Sequence, residues 1–106
     1  MSKQSDLELA FHERMRQIYD QAKSECGYTA TRFLQLVNAE GGLQAAKKLL
    51  RAKEYSEGLT RLWEEKRLDI SMEATIIQEP WCNLFTDEEL ATARKRLHEL
   101  GYSTSG

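Results

Sequence analysis

The sequence predicts an all-α fold, a compact single-domain bundle of five or six short helices, and three observations predict it. Fourteen Leu and ten Ala stand against four Ile and one Val, and straight or γ-branched side chains lose less rotamer freedom in a helix than β-branched ones. Proline occurs once, at position 80, so little in the chain interrupts a helix. Apolar residues recur at steps of three and four, the spacing that collects them on one helical face.

The first helix is expected over residues 6–26, with Leu7, Phe11, Met15, Ile18 and Ala22 on its apolar stripe. Asp6 is the expected N-cap, and Gly27 suits the left-handed residue that ends a helix. A second helix from Thr29 carries Ala30, Phe33, Leu34 and Val37 and stops before Gly41-Gly42. The glycine pair reads as a tight corner into a third helix, with Leu43, Ala46, Leu49 and Leu50 inward and Gln44, Lys47, Lys48 and Arg51 outward.

Ser56 is the expected cap of a fourth helix holding Leu59, Leu62 and Trp63. Ser71 or Asp69 would cap a fifth holding Met72, Ile76 and Ile77, which Pro80 would stop. The last helix has the clearest local signals. Thr86 and Glu89 form a capping box, and Phe85 and Leu90 occupy the hydrophobic-staple positions. Leu90, Ala93, Leu97 and Leu100 make its buried stripe, and Arg94, Lys95 and Arg96 sit in later turns where cations suit the helix dipole. Gly101 ends it. The domain is expected to span residues 5–102, with residues 1–4 and 103–106 as disordered termini.

Composition narrows the function. Hydrophobic residues make up 41% and charged residues 30%, as in ordinary folded domains. No run of about 18 apolar residues is present and the start MSKQSDLE lacks the regions of a signal peptide, so the expected location is cytoplasmic, with no membrane partner. Cys26 and Cys82 are too few and too far apart for a disulfide framework or a zinc knuckle, and read as reduced packing residues.

Catalytic motifs are missing: no phosphate-binding glycine loop, no GxGxxG, no HExxH and no GxSxG. His12 and His98 read as solvated helix-face residues, the triplet Asp87, Glu88 and Glu89 as dipole compensation, and Glu64-Glu65 as a solvated face. A Cys26 nucleophile with a histidine base would need a depressed thiol pKa and an orienting group, neither of which the sequence specifies. The chain is therefore read as a non-enzymatic module with no metal and no cofactor.

Charge is unevenly spread. Residues 1–27 carry four basic and five acidic groups, residues 28–68 eight and five, and residues 69–106 three and seven. The basic middle comprises Arg32, Lys47, Lys48, Arg51, Lys53, Arg61, Lys66 and Arg67. Two helices joined by a glycine corner, the second with Lys47, Lys48 and Arg51, have the layout of a helix-turn-helix, with cations available for phosphates. The same charges also fit the solvated face of a bundle or internal partners of the acidic third. Among the aromatics at helix boundaries, Trp63 and Trp81 fit core anchors in so small a domain. A partly exposed Trp beside arginines would instead fit an interface.

The strings YTATRFLQLVNAEGGLQAAKKLL, GLTRLWEEKRLDISMEA and LFTDEELATARKRL resemble a small helical module of bacterial proteins, found alone or fused to other domains, including nuclease-like ones. The resemblance covers about residues 11–102. It implies a bacterial, cytoplasmic accessory module in a defence-related or DNA-associated setting, and brings no catalytic residues with it.

The function these observations predict is recruitment of a protein partner, and the alternative is a nucleic-acid-binding accessory domain using the basic middle. The expected partner surface is Arg32, Lys48, Arg61, Trp63 and Arg67, with arginines placing charge around an apolar centre. The competing expectation is a buried Trp63 with arginines that only satisfy Glu57, Glu64 or other nearby carboxylates.

Overall fold

Phe11, Met15, Ile18 and Ala22 fall on one stripe of a long amphipathic helix, and all four are buried. The computed structural model describes the backbone of residues 3–52 and 57–102, with side chains from Asp6 onward. Within these residues the chain is an all-α single-domain bundle with six α-helices and no strand: α1 Lys3–Cys26, α2 Thr31–Glu40, α3 Gly42–Arg51, α4 Glu57–Glu64, α5 Met72–Ile76 and α6 Asp87–Glu99. Two 3-10 turns, Leu68–Ile70 and Trp81–Leu84, flank α5 and were not foreseen. The Lys53 and Ser56 expectations lie outside the described residues, as do Met1, Ser2 and residues 103–106.

Several boundaries differ from expectation. Because α1 begins at Lys3 and takes in Gln4, Asp6 sits in its first turn instead of capping it. At 24 residues α1 is also not short. The second helix starts at Thr31, since Ala30 has non-helical backbone angles and no side chain caps the helix. Ser71, not Asp69, caps α5: its hydroxyl accepts from the Ala74 N–H at 3.1 Å. Helix α5 ends at Ile76, and Pro80 instead opens the Trp81–Leu84 turn. The capping box of α6 forms, with the Thr86 N–H donating to Glu89 Oε1 at 2.8 Å and the Glu89 N–H to Thr86 Oγ1 at 3.2 Å.

The core has two clusters. Phe11, Met15, Val37, Ala45, Ala46, Leu50, Leu84, Phe85, Leu90 and Ala93 belong to the first, where the Phe11 ring centroid lies 5.6 Å from Trp81 and 5.5 Å from Phe85. Ala22, Leu59, Leu62, Leu68, Ile70 and Leu97 belong to the second. Helices α1, α5 and α6 contribute to both, α5 with Met72 and Ile76 in the first and Ala74 in the second.

The expected glycine corner forms. Gly41 takes φ +88°, a region open to glycine. A Cβ on Gly42 would lie 2.7 Å from His12 Cα, so the close approach of α3 to α1 needs glycine. That approach corrects the reading of His12 as solvated: the ring is half-buried, and Nδ1 accepts from the Gly42 N–H at 2.9 Å. The imidazole thereby satisfies one of the free N–H groups of the α3 start, where Gly41 has no side chain to do so.

On α3 the inward set also shifts. Ala45 is buried while Leu43 and Leu49 are half-buried, and Lys47, expected outward, is half-buried over the Phe85 ring at 5.2 Å and bonds Glu89 at 2.8 Å. Burial pushes the Glu89 carboxyl up, but the Lys47 ammonium and the Thr86 N–H outweigh that and leave it below its ordinary value.

Candidate functional site

The main concavity arises because the α1 C-terminal half, the 27–30 link, α2 and α4 do not close on one another completely. It is a cavity of about 590 Å3 bordered by Ile18, Tyr28, Phe33, Leu36, Leu59 and Met72 among others. Apolar side chains dominate it because the buried stripes of α1, α2 and α4 all turn towards this space. Ser71 and Glu73 on the α5 side are its buried polar residues.

Glu73 is 2% exposed and Arg96 5% exposed, and they pair at 3.3 Å. Arg96 also donates to three backbone carbonyls at the end of α3: Leu49 at 3.1 Å, Leu50 at 3.2 Å and Ala52 at 2.7 Å. The guanidinium therefore caps α3 from another helix, at carbonyls of its last turn and C-cap, of which Leu49 O also accepts from the Ala52 N–H at 3.3 Å. Burial pushes the Glu73 carboxyl up, and its own backbone N–H and Arg96 pull it only part of the way back. Arg96 thus does more than the helix-dipole role expected of it. Position 96 lies three residues after Ala93 and four before Leu100, in phase with the buried stripe, and that spacing was the missed signal.

The five expected partner residues do not form one patch. Arg32 is exposed and borders the cavity. Arg61 lies with its guanidinium carbon 5.7 Å from the Tyr28 ring centroid, also on the cavity side, and approaches Glu65 at 3.6 Å. Burial pushes the Tyr28 hydroxyl up, reinforced by Glu57 and opposed by Arg61 and Arg32, so all three charges surround it. Lys48 pairs with Glu40 at 2.9 Å on the exposed α2–α3 side. Arg67 is held by Glu25 at 2.7 Å and Asp69 at 3.1 Å, and the hydrogen bonds to Asp69 and Glu25 raise its pKa further.

Trp63 departs from the core-anchor expectation and is 46% exposed. Two residues along a helix turn about 200°, so Trp63 and Arg61 leave α4 on opposite sides of its buried Leu59 and Leu62. Trp63 borders a separate shallow depression of about 230 Å3 with Lys66, Leu68, Asp69, Leu100 and Tyr102. Leu9 is the other large hydrophobic left exposed among the described residues.

His12 and Cys26 are fourteen residues apart on the one helix α1, about 21 Å of rise, too far for a nucleophile–base pair. Neither histidine nor Cys26 borders the large cavity. Burial pushes the half-buried Cys26 thiol up, only partly opposed by Arg67, which makes it less of a nucleophile. Cys82 is half-buried and in no disulfide, and His98 is exposed. Among the described residues no group of three His, Cys, Asp or Glu gathers to hold a metal, and no helix is long and apolar enough to cross a membrane. Comparison with protein-family models, with curated proteins and with solved structures gave no match.

Proposed function

We propose that the chain is a non-enzymatic helical interaction module that recruits a protein partner through the Trp63 face. The observation that carries this reading is the 46% exposure of Trp63 beside a depression edged by Lys66 and Tyr102, in a domain whose other Trp packs on Phe11. Trp and Tyr are among the residues enriched at interface hot spots. Arg61 is not part of this face, because it leaves α4 on the other side. The sequence resemblance supports an accessory module in a bacterial, defence-related setting.

The nucleic-acid alternative loses support from the pairing of the basic segment. Lys47, Lys48, Arg61 and Arg67 all meet carboxylates within the chain, which leaves fewer cations for phosphates.

Capture from the native host after nuclease treatment, at low and moderate salt, tests the proposal. Trp63→Ala and Lys66→Glu should each weaken capture about tenfold, as expected for hot-spot losses, while Arg61→Glu on the opposite side should leave it unchanged. Capture that survives Trp63→Ala overturns the proposed face. Capture that vanishes with nuclease and falls steeply with salt establishes the nucleic-acid reading instead.

A further inference from the structure

The cavity between α1, α2 and α4 plays no part in the Trp63 face, and its chemistry points to a different occupant. Its interior offers no free polar group. Ser71 Oγ donates to the Leu68 carbonyl at 2.6 Å and accepts from the Ala74 N–H, Glu73 is held by Arg96, and no buried side-chain N or O among the described residues lacks a partner. An occupant therefore gains in the interior only by burying apolar surface.

The rim differs. Arg32 borders the cavity, is exposed and makes no ion pair with any described residue. Arg61 lies over the Tyr28 ring, and its contact with Glu65 at 3.6 Å is an exposed pair of the weak kind. Glu57 also borders the cavity. Arg61 is shared with Glu65, so among the described residues Arg32 is the lining cation without a carboxylate partner; it offers a charged donor to one anionic head group, while Glu57 disfavours a doubly charged phosphate.

We propose that this cavity binds a small amphiphilic monoanion, a medium-chain fatty carboxylate. Its alkyl chain lies among Ile18, Phe33, Leu36, Leu59, Leu62 and Met72, and its carboxylate meets Arg32 beside Tyr28, with Arg61 behind the Tyr28 ring. The volume of about 590 Å3 falls in the roughly 300–1,000 Å3 range of small-ligand sites.

Titration of the full chain with decanoate, decanol and decyltrimethylammonium, each below its micelle concentration, tests this by calorimetry and amide chemical shifts. Decanoate should bind, shift amides in residues 28–36 and 58–62, and bind about tenfold more tightly than decanol, with decyltrimethylammonium weakest. Arg32→Glu, a change at an exposed residue, should weaken decanoate about tenfold and favour the ammonium head instead. Leu36→Trp should occupy the space and abolish binding of all three. Trp63→Ala should leave decanoate binding unchanged, which separates this site from the partner face. No decanoate binding, equal affinity for the three head groups, or shifts confined to Trp63 and residues 100–102 overturns the proposal.

Discussion

Arg96 shows how one side chain changes role when the fold is assembled. In the sequence it is the third of three consecutive cations near a helix end, where the dipole accounts for it. In the fold it is buried, bonds Glu73 and donates to three carbonyls at and just past the end of α3. Arg96→Gln should therefore cost about 3–5 kcal/mol in urea denaturation, because it strands a buried carboxylate as well as the carbonyls. Glu73→Gln should cost only about 1 kcal/mol, since the amide oxygen still accepts from Arg96 and the α3 bonds survive. Equal losses in the two variants would show that the ion pair alone matters. His12 makes the same point: the ring looked solvated beside Glu13, yet it serves the start of a helix thirty residues away.

The helix ends divide into those written in local sequence and those that are not. Gly101 ends α6 with φ +83°, its N–H on the His98 carbonyl at 3.0 Å and the Tyr102 N–H on the Leu97 carbonyl at 2.9 Å. Helix α4 ends with the same bond pattern, Lys66 N–H to Trp63 O at 3.0 Å and Arg67 N–H to Leu62 O at 2.8 Å, but with Lys66 at φ +60° in the glycine position. A side chain there crowds its own carbonyl. Lys66→Gly should thus stabilise the domain by about 0.5–1 kcal/mol, after the added freedom of glycine in the unfolded chain is subtracted, and Lys66→Ala should change little. Denaturation midpoints of the two variants decide it; no gain in the glycine variant would mean that the Lys66 side chain offsets the strain.

At the scale of the molecule, α1, α5 and α6 each supply buried residues to both core clusters, and α5 is the shortest of the three. All five of its residues are buried, including Glu73 and Thr75, and its polar groups bond internally: Thr75 Oγ1 donates to the Ser71 carbonyl at 2.9 Å. So short a helix is not stable alone, and its order comes from its surroundings. Amides of Ala74 and Thr75 should therefore exchange with solvent only on global unfolding, with an opening free energy equal to that from denaturant. Exchange there through a smaller opening would mean that the two clusters unfold separately.

The all-α class, the α6 capping box, the glycine corner and most of the buried stripes were legible in the sequence. Each depends on backbone preferences and spacings within a few residues, which a single segment carries by itself. The site was not legible in the same way. Arg32, Lys48, Arg61, Trp63 and Arg67 stood together as a basic stretch with one Trp, but helix rotation sends Arg61 and Trp63 to opposite sides, and Glu25, Asp69 and Glu40 claim Arg67 and Lys48. The spacing of position 96 already put it on the buried stripe, and tertiary packing decided that Arg96 would meet Glu73 and the end of α3, that Trp63 would be exposed and that a cavity would open beside Arg32. Those outcomes depend on which helix faces meet across long sequence separations, and local residue preferences carry no information about that meeting.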